Sequence, residues 1–184
     1  MLGLLMKAYY SFLQYKKKRY ISGLVNKGLR LGKNVLIVDT FFFDPSHCYL
    51  ISIGDNCTIC PNVRLIAHDA STKNHLGYTK FGKITIGENC FIGDSTIVLP
   101  NVTIGQNSII GAGSVVTKSI PANTVAAGNP AKPVCSLEEY LSRIKKMAGT
   151  ETKVFREEYN IENLNEKKRR ELLDAANGNF GFIE

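Results

Sequence analysis

Every sixth residue from Ile86 is aliphatic, through Ile92, Val98, Ile104, Ile110 and Val116, and glycine directly follows four of the six, at Gly87, Gly93, Gly105 and Gly111. A second row four residues further on, Cys90, Thr96, Val102, Ser108, Ser114 and Ile120, is mostly small or β-branched. A six-residue period fits neither the 3.6 of an amphipathic helix nor plain alternation. It suits short strands divided by corners, where a glycine or small polar residue takes a tight conformation. The register also holds in Ile53, Ile59 and Leu65, and in Leu31, Ile37 and Phe43, which makes about twelve hexads. Three sides close one coil, and four coils of strands ~4.8 Å apart give a core roughly 20 Å long. The expected fold is mainly β, a parallel β-helix.

Such a solenoid needs capped ends, and the flanks supply helices. One runs from about Leu2 to Lys27 and stops at Gly28. Another opens at the capping-box pattern Ser136-Leu137-Glu138-Glu139 and ends near Gly149, and Asn163 with Glu166 marks a further one. Residues 150–160 show no clear period. The chain thus reads as an N-terminal basic helical segment at 1–30, the β-helix at 31–135 with loops at 44–50 and 68–83, and C-terminal helices at 136–184.

The net charge of +7 is unevenly placed: residues 1–34 hold eight basic side chains and no acid, while 35–135 hold six of each sign. A neutral body disfavours a broad nucleic-acid groove, since phosphate binding needs clustered cations. The cluster Lys16-Lys17-Lys18-Arg19, beside Leu4, Leu5, Tyr9, Tyr10, Phe12 and Leu13, suits peripheral contact with an anionic membrane surface. It suits equally a helix that caps the coil or packs in a trimer. The apolar start is interrupted by Lys7, lacks a small-residue cleavage site and is too short to span a bilayer. Five cysteines without a disulfide framework point to a reducing compartment, the cytoplasm. Cys57-x-x-Cys60 has no second pair at zinc-ribbon spacing, and Cys57 falls in the buried small row, so packing accounts for it.

In repeat proteins, binding residues gather where the register breaks. Ten residues separate Phe43 from Ile53 instead of six, across Asp44-Pro45-Ser46-His47-Cys48. After Leu65 a continued register would bury Asp69, an expensive place for a carboxylate, so the chain must leave the coil by His68 and rejoin near Lys83. These two interruptions contain all three histidines, His47, His68 and His75. His75 reads as a surface residue.

With these features the chain resembles the hexapeptide-repeat O-acetyltransferases, closest to the capsular or exopolysaccharide and the galactoside and maltose types. The resemblance covers about residues 31–135. It is carried by Asp44-Pro45-Ser46-His47-Cys48, by Ala67-His68-Asp69-Ala70-Ser71, and by the run from Gly111-Ala112-Gly113-Ser114 to Gly128-Asn129-Pro130-Ala131-Lys132. It implies a left-handed coil, an exception to the right-handed crossover rule, a homotrimer, and acetyl-CoA as co-substrate with no metal. His68 would be the general base that deprotonates an acceptor hydroxyl, a task that suits imidazole. Its second ring nitrogen needs an orienting partner. Asp69, Asp44, His47 or a backbone carbonyl could serve, with Asp44 ranked slightly first. No nucleophile elbow is evident, so direct transfer is more economical than an acyl-enzyme.

The same resemblance places His47 and Phe91 on the acceptor side, Phe91 standing where several sugar acetyltransferases have tryptophan. It places Ala112, Gly113 and Thr117 along the pantetheine arm between two subunits, with Lys118 and Lys132 near the CoA phosphates. The acceptor would be a sugar or a lipid-linked saccharide. Two alternatives stand beside this reading. One is a zinc enzyme like the γ-class carbonic anhydrases, which would have to use His47, His68 and His75 together. The other is a non-catalytic β-helix that serves as an assembly platform.

Overall fold

Each aliphatic position of the hexads lies on a strand of two or three residues, and the strands pair in parallel with those of the next coil. The structure, a computed structural model, describes residues 2–150, 154–159, 161–177 and 180–183. Two compact units are present, Met1–Leu137 and Glu138–Glu184.

In the first unit the chain visits three sheets in turn. The first contains Arg30–Leu31, Ile51–Ile53, Ile84–Ile86 and Val102–Ile104, and the third contains Phe42–Phe43, Arg64–Leu65, Ile97–Val98 and Val115–Val116. Between them in the chain come the strands of the second sheet, Leu36–Ile37, Thr58–Ile59, Phe91–Ile92, Ile109–Ile110 and Thr124–Gly128. Ala131–Ser136 closes that sheet as an antiparallel edge. Across the coils Ile37, Ile59, Ile92 and Ile110 stack in register, as do Phe43, Leu65, Val98 and Val116. All eight are buried.

Glycine and asparagine divide the work at one corner. Asn34, Asn56, Asn89, Asn107 and Asn123 adopt left-handed backbone, with φ between 54° and 57°, a region open at low cost to glycine and asparagine. Their side-chain amides form a continuous ladder, with links of 3.2, 3.2, 3.1 and 2.9 Å. The glycine after each aliphatic is needed for closeness instead. A Cβ on Gly105 would stand 2.3 Å from the backbone nitrogen of Ala122, and one on Gly87 2.5 Å from that of Gln106. Of the glycine or small polar residue expected to take the tight conformation at this corner, asparagine is the one that does so.

The buried small row is satisfied by the carbonyls of neighbouring turns. Cys57 and Cys90 donate to the carbonyls of Gly87 and Gly105, and Ser108 to that of Pro121, at 3.0, 3.2 and 2.9 Å. Thr96 and Ser114 both donate to the carbonyl of Gly111. Cys57 is buried and Cys60 half-buried, each with a free thiol. Ile120 departs from the expected row: it bridges to Ile104 on the first sheet, because the step from Val116 is four residues rather than six.

Helix α1 (Leu2–Asn26) ends in a Schellman motif. Gly28 takes φ +104°, its N–H donates to the Val25 carbonyl, and the Leu29 N–H donates to the Leu24 carbonyl. Leu24 and Leu29 are buried in the same core as the coil.

The excursion expected as a loop from His68 is partly ordered. His68–Asp69 pairs antiparallel with Lys80–Phe81, and the short helix α2 (Lys73–Leu76) lies between them. In the second unit, α3 (Leu137–Thr150) begins where the capping box places it, its first residue still belonging to the coil unit. The cap of α4 (Glu166–Ala175) is Asn165, whose side chain accepts from the Lys168 N–H, rather than Asn163, which lies in a 3-10 turn. Of the stretch without a period, residues 151–153 and 160 lie outside the described residues. Val154–Phe155 pairs in parallel with Phe182–Ile183.

Candidate active site

Both interruptions leave the coil at the same edge. From Leu31 to its partner Ile53 is 22 residues and from Ile53 to Ile86 is 33, against 18 from Ile86 to Ile104. The surplus falls each time between the third sheet and the first, after Phe43 and after Leu65. Consecutive coils therefore bring Asp44 and His47 alongside His68.

Asp44 organises the cluster. Its side chain is fully buried. One carboxylate oxygen accepts from the N–H groups of Ser46 and His47 at 3.2 and 3.3 Å, and the other accepts from the Ala67 N–H at 3.2 Å and from the His68 ring through Nδ1. Burial pushes the Asp44 carboxyl up, but the His68 hydrogen bond and charge interaction, with the Ser46 and His47 amides, outweigh it and hold the carboxyl below its ordinary value. An ionised carboxylate can only accept, so His68 Nδ1 carries the proton of this bond, and Nε2 is the ring nitrogen left to exchange a proton.

His47 packs against His68 with ring centroids 4.6 Å apart, and is itself flanked by Tyr49 at 5.9 Å and Phe81 at 6.5 Å. Its Nδ1 is buried without a hydrogen-bond partner, 3.8 Å from Asp44. Asp44, His47 and His68 each offer an atom within 4.8 Å of the others, close enough for a cation. His75, which the zinc alternative requires, is exposed on α2 and lies outside this group.

The other expected site residues are dispersed within one chain. Asp69 turns away from His68: it pairs with Lys80 at 2.8 Å and accepts from the Ser71 N–H. Lys80 first, then Ser71, hold its carboxyl well below the usual carboxylate range. The Lys80 pair ties together the two strands of the excursion. Phe91 lies exposed on the second sheet, the face opposite the His68 edge, so it does not meet His68 in the same chain. Ala112 and Gly113 form the corner between the second and third sheets, a different edge, where Ala112 presses on Gly93. Thr117 and Lys118 share the edge of His68 two coils on, roughly 10 Å along the coil axis. Lys132 is exposed on the antiparallel strand Ala131–Ser136. Tyr49 and Phe81, which border His47, are not singled out by any sequence motif.

The six-residue repeat of this chain has parallels among known proteins. The family described as bacterial transferase hexapeptide (six repeats) matches residues 83–118. A Staphylococcus aureus protein named CapG is 41% identical over 164 residues, covering 85% of this chain and 90% of CapG. The chain belongs to the hexapeptide-repeat acetyltransferase family. Among its relatives, galactoside O-acetyltransferase of Escherichia coli strain K12 is 46% identical over 96 residues, covering 50% of this chain and 46% of that one. The solved structure of a galactoside acetyltransferase in complex with coenzyme A is 40% identical, covering 60% of this chain and 56% of that one, with a TM-score of 0.48. Apart from CapG, the hexapeptide-repeat relatives named here are matched over about half of their own length.

Proposed function

We propose that this acetyltransferase moves the acetyl group of acetyl-CoA to a hydroxyl of a sugar or polysaccharide precursor, with His68 as general base. The Asp44–His68 pair carries the reading. Nε2 takes the proton of the attacking hydroxyl, the new C–O ester bond forms as the C–S thioester bond breaks, and the imidazolium returns the proton to the departing CoA sulfur. Asp44 keeps Nδ1 protonated and balances the transient positive charge. Asp69 takes no part. His47 shapes the wall beside the base, and exposed Tyr49 and Phe81 offer flat apolar faces to a sugar ring.

The coil, winding left-handed as the resemblance implies, works as a homotrimer in this proposal. Phe91, Ala112 and Gly113 lie on other faces and edges than His68, so a site that uses them takes them from a neighbouring copy. Lys118 and Lys132 supply cations for the CoA phosphates. Free thiols at all five cysteines suit work in the cytoplasm, and no described helix is long and apolar enough to cross a membrane.

His68→Ala and Asp44→Asn test the mechanism. Each is expected to lower kcat by ~10²–10⁴, the usual contribution of a positioned base. Acetyl-CoA at about 100 times its Kd should still add about 2.7 kcal/mol to the native state of both variants. Unchanged turnover in His68→Ala would discard the base.

A further inference from the structure

We propose that the groove along α1 binds a lipid phosphate that carries the acceptor sugar. The inference rests on the transfer reaction above and names the class of its acceptor. The groove measures about 660 Å³ and is walled by Phe12, Tyr15, Tyr20 and Leu24 of α1, with Lys16, Arg19 and Lys27 among its rims. Pro45 closes its far side.

Charge fixes the kind of occupant. Residues 1–34 contain no acid, and among the described residues no ion pair ties Lys16, Arg19 or Lys27 to an acidic side chain. Lys17, by contrast, is occupied by the coil through the Ile37 carbonyl and Asp39. Lys16 instead stands 5.1 Å over the Phe12 ring, so cation and apolar wall meet at one point. A long-chain phosphate matches both parts: its hydrocarbon lies along the rings, and its phosphate meets the unpaired cations.

The groove is also joined to the site. Pro45 directly follows Asp44. The thiol of Cys48, in the same loop, donates to the carbonyls of Leu24 and Lys27 at the end of α1. Tyr49 packs on Gly28, where a Cβ would come within 2.8 Å of the Tyr49 Cβ. A lipid held here lies against Pro45, next to Asp44 in the loop that positions His68. Ahead of the groove, Leu5, Met6, Tyr9 and Tyr10 are exposed. These turns are suited to the acyl region of one leaflet, from which such a lipid is drawn.

The test uses the full chain and three sets of vesicles: phosphatidylcholine alone, the same doped with polyprenyl phosphate, and the same doped with phosphatidylglycerol at matched charge. Cosedimentation should show the polyprenyl phosphate vesicles bound at least about tenfold tighter than the phosphatidylglycerol vesicles. Lys16→Gln/Arg19→Gln should weaken that binding about thirtyfold, the loss expected for two basic contacts at a lipid surface. The same variant should keep the thermal shift with acetyl-CoA, which shows it folded and its cofactor site intact. Equal binding to both anionic vesicles would overturn the proposal in favour of a general membrane surface. A change in sedimentation coefficient with no change in vesicle binding would overturn it in favour of a second copy in the groove. A failed lipid result alongside His68-dependent acetylation of soluble sugars would reject this inference and leave the transferase reading standing.

Discussion

Asp44 is a buried acid that stays ionised because four donors converge on it: three backbone N–H groups and the His68 ring. Since its folded pKa lies below the unfolded carboxylate value of ~3.9, it binds its proton less readily when folded. Its stabilisation is complete above about pH 4 and disappears as pH falls through the lower folded value. Thermal unfolding from pH 6 to pH 2 should show the stability advantage of the wild type over Asp44→Asn shrinking across that acidic interval. A constant advantage would mean that the carboxylate charge contributes nothing.

At this scale the sequence points to the segments that meet in the cluster and says less about the partners of each side chain. The register breaks single out the segments that hold His68 and Asp44, the first because a continued register would bury Asp69 and the second because ten residues, not six, separate Phe43 from Ile53. Asp69 is adjacent to His68 in the chain, yet its partner is Lys80, eleven residues on. That contact exists only because residues 68–81 fold into an antiparallel pair, which no six-residue period encodes. Tyr49 and Phe81 lack a motif for the same reason: they reach His47 through the paths of the two excursions.

The coils show how one repeat position combines two different demands. Asparagine at the corner supplies a backbone shape and a ladder of amide bonds, so Asn89→Ala loses both. We expect it to cost about 1–3 kcal/mol, with Asn89→Gly costing less because glycine keeps the left-handed backbone. Gly105→Ala fails differently, by forcing a Cβ onto the backbone of Ala122. Denaturant unfolding should place it among the more damaging single substitutions, in the range of about 2–4 kcal/mol. Little loss in Gly105→Ala would show that the neighbouring turn moves aside easily. The aliphatic period was legible because burial enforces it in every coil. The shortened step that sets Ile120 opposite Ile104 rather than Val102 was not, because a four-residue spacing is also the spacing between the two buried rows.

At the scale of the whole chain, the decisive geometry is that the coil unit of one copy cannot present all its expected site residues together. His68 occupies one edge and Phe91 the opposite face. In the homotrimer proposed above, sedimentation equilibrium at micromolar concentration should give three copies, and mixing inactive His68→Ala chains with a chain altered at Gly113 should restore activity in mixed assemblies. A monomer that retains full turnover would refute the shared site. The two excursions, of four and fifteen surplus residues, depart from a single edge and return the chain to the same strand register. That edge behaves as a socket: segments of unequal length plug into it without disturbing the rungs above or below. Selectivity for new acceptors is thus open to change by exchanging what is plugged in, while the scaffold that holds the base keeps its alignment.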